Sequence, residues 1–174
     1  AKSLLLVLRD LSHRDRVRAA ENTFSALSET STDAIVQINE ELRIIFANSA
    51  VHSIFGYPAD ELLQGSFERL FPESAYRRYC EHFRKYFVVD DAHRKATRLT
   101  NILEVLGRKR EGEIFPLEIS FGNSRNLHGE RILTCIMRDI SERKRTERRL
   151  RFLAYHDKLT ELGNRDLLYV SLKQ

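Results

Sequence analysis

DAIVQINEELRIIFANSAVHSIFGYPADELLQG, residues 33–65, is the stretch on which the architecture turns. DAIVQI and LRIIFA are short runs rich in β-branched and aromatic residues, and the polar Asn39-Glu40-Glu41 lies between them. That pattern predicts an antiparallel hairpin whose Ile35, Val36, Ile38, Ile44 and Phe46 supply core. Asn48 stands where an N-cap is expected, ahead of a short helix through Val51 and Ile54 to Gly56. Tyr57-Pro58 then turns the chain, and Pro58 opens another short helix through Leu62 and Leu63 to a C-cap at Gly65. Small helices in succession therefore interrupt a sheet that has only begun.

The sheet resumes further on. Tyr76, Tyr79, Cys80, Phe83 and Phe87 share one face at helical spacing, with Arg77, Arg78, Glu81 and Arg84 elsewhere, so a longer helix comes first. Asp90 to Arg98 is polar and charged and reads as a loop. Asn101 to Lys109 is apolar ahead of the turn RKREG, and Ile114 to Phe121 alternates, with Phe115, Leu117, Ile119 and Phe121 on one face. After the turn at Asn126 to Gly129, Arg131 to Arg138 places Leu133, Cys135 and Met137 together. Two strands, a set of helices and three strands make an α+β unit. Half-polar strand faces and short turns call for antiparallel pairing, with the helices covering one side. What they enclose is a candidate cavity.

Both flanks read as helices. From Ser141, placed as N-cap with Glu142 at the positive end of the dipole, no Pro or Gly intervenes before Asp157. Such a helix would reach about 25 Å, enough to separate two globular bodies. Leu150 and Leu153, with Thr146 before and Asp157 after, give it a short coiled-coil seam. Upstream, Val17, Ala20, Phe24 and Leu27 are spaced as a narrow apolar seam, which suits either a coiled coil or packing against the domain itself. LVLRDLSHRDR, residues 6–16, matches CIMRDISERKR, residues 135–145, in Arg, Asp, Ser, Arg and Arg. The match suggests tandem copies of one module, of which residues 1–10 are the tail of the first.

Composition limits the function. A chain of 174 residues with 42% hydrophobic content buries one good core. The net charge is +4 and the pI near 9.2, but the positive charge is concentrated between Glu142 and Arg151, where six cations meet two acids. A charge run on a helix is usually a solvated face, and no groove-reading motif accompanies it, so nucleic acid is not an expected partner. Cys80 and Cys135 lack metal or redox spacing and suit a reducing compartment. The longest apolar run, Leu4 to Leu8, is too short to cross a bilayer, so no membrane contact and a cytoplasmic location are expected. No glycine-rich phosphate loop, HExxH helix or nucleophile elbow is present, and the chain as given is not expected to be an enzyme. Starting at Ala1 and ending in mid-pattern, it reads as an excerpt of a longer protein.

Three segments in order, IIFANSAVHSIFGYPADELLQG, GRKREGEIFPLEIS and MRDISERK, resemble the signature segments of a PAS sensor domain. The resemblance implies a five-stranded antiparallel sheet with short helices on one side, flanked by linker helices, and a bacterial sensor of signals that forms a homodimer. It implies that Asp139, Ile140 and Ser141 couple the last strand to the output helix. Relatives of this kind bind haem, flavin or small metabolites, or only dimerise. For haem the nearest candidate is His82, with His93 after it, yet Phe83 is the residue on the Tyr79/Phe87 face and His82 is turned about 100° away. The cofactor is therefore unknown: haem through His82 or a small metabolite is conceivable, whereas flavin lacks both the photoadduct motif and a Trp to stack on it. Tyr79, His82 and Phe83 are the candidate pocket residues, although aromatic residues at this spacing are more often ordinary core.

LAYHDKLTELGNRDLL, residues 153–168, is similar to the opening of a GGDEF domain in Asp157, Leu159, Thr160, Leu162, Asn164 and Arg165, and departs from it at Glu161 and Gly163. This second resemblance implies a diguanylate cyclase beyond the chain, and Thr160 and Asn164 join the coupling residues. The expected organisation is 1–10 tail of a preceding repeat, 11–30 linker helix, 31–140 PAS domain, 141–157 signalling helix and 158–174 start of a GGDEF domain. The expected function is regulation of that cyclase in cyclic di-GMP signal transduction. A dual cyclase and phosphodiesterase parent, or a ligand-free dimerisation platform, are the alternatives.

Overall fold

In the computed structural model, residues 23–88, 102–126 and 129–155 are described; within the long helix the side chains at 82, 85, 86 and 88 are not. The first described element is helix α1, over residues 23–29. Strands β1 (Ala34–Ile38) and β2 (Ile44–Ala47) follow, then helices α2 (Ala50–Phe55) and α3 (Ala59–Leu62), a single 3-10 turn at Phe67–Leu70, and the long α4 (Glu73–Val88). Strands β3 (Ile102–Arg108), β4 (Ile114–Arg125) and β5 (Arg131–Asp139) complete the sheet, and helix α5 (Ser141–Tyr155) leaves it. The order across the sheet is β2-β1-β5-β4-β3, every pair antiparallel. The last strand thus lies at the centre, against the first.

Strand alternation sorts the residues into two faces. Val36 and Ile38 of β1, Phe115, Leu117, Ile119 and Phe121 of β4, and Leu133, Cys135 and Met137 of β5 point to the helical side and are buried. Phe83 and Phe87 of α4 are buried against them, with Tyr76, Tyr79 and Cys80 partly buried, so the predicted apolar face of that helix is the one that packs. Ile35 and Phe46, expected in this core, are half-buried on the opposite side, because a period of two sends them outward when Val36 and Ala47 pair inward. Phe46 is covered there by Phe24 of α1, ring centroids 5.4 Å apart. Packing against its own domain is thus what the Phe24 end of the upstream seam does, while Leu27 remains exposed.

The local cap assignments change. Asn48 does not cap α2: Ser49 occupies the cap position, and Asn48 is wholly buried. Its Oδ1 accepts from the Ile35 amide at 2.9 Å, and its Nδ2 donates to the Ser28 and Asp33 carbonyls at 2.7 and 3.1 Å. It ties α1, the entry to β1 and the exit from β2 in one bracket. Nor does Gly65 cap α3. Leu63 is the cap, and Gln64 carries the left-handed backbone at φ 62°. The first short helix does end at Gly56, as expected, and Gly56 caps it with a left-handed backbone at φ 77°.

Candidate functional site: the strand-to-helix junction

Where β5 ends, one residue separates strand from helix. Ile140, almost fully buried, donates its amide to the Pro116 carbonyl at 3.1 Å, continuing the β4–β5 ladder by one bond. The reciprocal bond of that pair would need an N–H on residue 116, and proline has none. The Ile140 carbonyl instead accepts the Lys144 amide at 2.9 Å, the first helical bond of α5. Pro116 therefore stops the ladder at the point where the helix must begin.

The capping group is not the predicted one. Ser141 is the first helical residue, and it is Asp139 Oδ1 that accepts from the Ser141 amide at 2.7 Å. An Asx turn two residues long satisfies a donor that the helix leaves orphaned and sets a carboxylate at its positive end, beside Glu142 in the first turn. One residue upstream of Asp139, Arg138 grips Asp33 with two bonds, Nε to Oδ1 at 2.9 Å and NH2 to Oδ2 at 2.6 Å. The Asp33 carboxylate holds the Arg138 guanidinium above its ordinary pKa. The start of β1 and the end of β5 are so joined at the root of the exit helix.

The first turn of α5 bends over the outer face of the sheet. Arg143 donates to Glu104 of β3 at 2.9 Å and to Glu118 of β4 at 3.0 Å, and Lys144 also bonds Glu104. The Lys144 hydrogen bond, with the charges of Lys144 and Arg143, holds the Glu104 carboxyl below its usual range. Leu150 and Leu153 lie further along α5, 62% and 42% exposed. By helical geometry they and Thr146 form a stripe about a quarter turn from the side that carries Arg143 and Lys144. Asp157, Thr160 and Asn164 lie outside the described residues.

The candidate pocket residues are distributed differently. Phe83 is fully buried, its ring 5.5 Å from Phe67, 5.8 Å from Phe71 and 5.4 Å from Phe121. Tyr79 borders it at 6.4 Å, half-buried. His82 lies in α4, but its side chain is outside the described set, as is His93 altogether. A macrocycle beside Phe83 would have to displace Phe67, Phe71 or Phe121, so the described residues do not fit haem at this place. The Arg143, Glu104 and Glu118 contacts escaped the sequence reading, because nothing local marks a partner 25 or 39 residues away.

Comparison with known proteins agrees with this geometry. A family model described as PAS domain matches residues 32–142, more than half the chain. The Sensor protein FixL of Bradyrhizobium diazoefficiens is 25% identical over 158 residues, covering 88% of this chain and 30% of that protein. The Cell-division control histidine kinase PdhS of Brucella ovis is 27% identical over 137 residues, 79% of this chain and 13% of the kinase. The chain thus spans less than a third of the length of these curated relatives. Among solved structures, the PAS domain of the HTR-like protein from Haloarcula marismortui superposes with a TM-score of 0.56 at 23% identity, over 74% of this chain and 98% of that one. Another, from Desulfitobacterium hafniense, gives 0.53 at 24%, over 64% and 95%. Sheet order, helical layer and matched residues together show that the chain belongs to the PAS domain family.

Proposed function

We propose that this chain is the sensory and dimerising module of a signalling protein, and that it passes its state through α5 to a diguanylate cyclase that follows. The observation that carries the reading is the junction: a central strand runs into a helix across one buried residue, Ile140, with no loop to absorb motion. Exposed apolar residues support the dimer. Ile102, Leu106 and Ile136 stand out on the sheet's outer face, and Leu150 and Leu153 on α5. Exposed apolar side chains grouped in this way suit a partner surface. The cyclase rests on the resemblance of residues 153–168 to the opening of a GGDEF domain. No bond in the module itself is broken or made; the chemistry belongs to the effector.

A second reading has a specific observation behind it. FixL and PdhS, a sensor protein and a histidine kinase by name, match most of this chain. In that reading α5 feeds a kinase instead. One experiment separates the two: the longer native protein is incubated with GTP and assayed for cyclic di-GMP, and with ATP and assayed for phosphohistidine. Cyclic di-GMP formation supports the cyclase reading. Phosphohistidine without cyclic di-GMP replaces it with the kinase. Among the described residues no helix is long and apolar enough to cross a membrane.

A further inference from the structure

Glu104 and Glu118 are direct partners across the β3–β4 ladder, on the outer face of the sheet. Like charges placed opposite one another in an antiparallel pair destabilise it. Here the two carboxylates are kept together by cations that belong to neither strand: Arg143 bridges both with its two terminal nitrogens, and Lys144 adds a second bond to Glu104. Arg143 Nε also lies 3.8 Å from Glu147, one turn further along α5. The fork therefore faces three carboxylates, two on the sheet and one on its own helix.

We propose that the Glu104/Glu118 pair is a latch for the exit helix, and that Arg143 is the positioning residue that sets the angle at which α5 leaves the sheet. Undocking of the helix takes both cations away and leaves Glu104 and Glu118 side by side, with Arg138, the β5 partner of Glu118, as the cation that stays near them. Docking of α5 and close pairing of β3 with β4 are thus one coupled state. A displacement of β3 against β4 moves Glu104 relative to Glu118, and the bridging guanidinium cannot follow both. The helix is released as a consequence. The use of the latch in signalling rests on the reading of α5 as the output helix; the latch itself does not.

Amide hydrogen exchange on the full chain tests it, with residues 141–147 as the readout and β1 and β5 as internal reference. E104Q/E118Q should speed exchange in 141–147 by about two- to fivefold for each carboxylate neutralised. R143E should do so more strongly, and the charge swap R143E/E118R should recover protection, since Glu at 143 then meets Arg at 118 while Lys144 keeps Glu104. Raising the ionic strength from about 0.1 M to about 1 M, which shortens the Debye length from about 10 Å to about 3 Å, should weaken wild-type protection in the same segment. Unchanged exchange in E104Q/E118Q overturns the latch, as does a swap no better protected than R143E. Equal loss of protection in β1 and β5 overturns it too, because the pair would then support the sheet rather than the helix. If the latch is seen but E104Q/E118Q leaves the effector output of the longer protein unaltered, it is the signalling reading that fails.

Discussion

Two residues decide more than their type suggests. Asn48 fills its carbonyl and amide with three bonds to segments 13 to 20 residues away, and it is buried. Asn48→Ala leaves the Ile35 amide and the Ser28 and Asp33 carbonyls without that partner, so an overall loss of about 2–3 kcal/mol is expected. A urea titration followed by circular dichroism would show it as a lower midpoint with an unchanged slope. Pro116 acts through a donor it does not have. Pro116→Ala supplies an N–H that competes for the Ile140 carbonyl, extending the ladder at the expense of the first helical bond. The Lys144 amide should then exchange faster by roughly two- to tenfold, the worth of about one hydrogen bond, while the Met137 amide stays protected. Glu104 offers a third check. Its native carboxyl lies below its ordinary pKa of 4.5 because Lys144 donates to it, with Lys144 and Arg143 adding charge, so its stabilising contribution is complete above that value. It is lost as pH falls through the depressed native value. A carboxyl carbon titration by NMR should place the Glu104 midpoint under 4.5, and Lys144→Met should raise it.

At the scale of elements, much was legible. Phe115, Leu117, Ile119 and Phe121 alternate with Pro116, Glu118 and Ser120 because β4 has one wet face, and these four are the residues of the strand that are buried. Tyr76, Tyr79, Phe83 and Phe87 repeat at helical spacing because α4 has one packed stripe. Periodic signals of this kind are local, and local signals can be read along a chain. Caps were less so. An Asn ahead of a helix satisfies a local rule, yet the bonds of Asn48 are tertiary; Gly65 satisfies another, yet Gln64 takes the left-handed backbone. Ser141 matches the local rule for the cap of α5, yet it is the first helical residue and donates its own amide to the Asp two residues before it. The ion pairs of Arg143 were illegible for the same reason, since charge complementarity has no period. Along α5 the exposed Leu150 and Leu153 are the proposed dimer seam. L150D/L153D should leave the thermal midpoint of the module almost unmoved, because neither side chain is buried, while reducing dimerisation through α5 in analytical ultracentrifugation. A stable dimer of unaltered affinity would place the interface elsewhere.

At the scale of the molecule, the two ends of the module meet. Arg138 on the last strand holds Asp33 ahead of the first, Asn48 ties α1 to that same edge, and α5 leaves from the central strand. A change in the helical layer reaches α5 through the end of β5 and through the contacts of Arg143 and Lys144 with Glu104 and Glu118, and the helix carries it on from there. If the output depends on the rotation of two such helices, its phase matters. Seven inserted residues turn the distal part of a helix by about 20° from its original phase, whereas two turn it by about 200°. The decisive measurement is therefore effector output in the longer native protein with alanines inserted between Arg148 and Arg149. Seven should leave output within about twofold of the parent, and two should change it by on the order of tenfold. Output unaffected by either insertion would contradict export through a rigid exit helix.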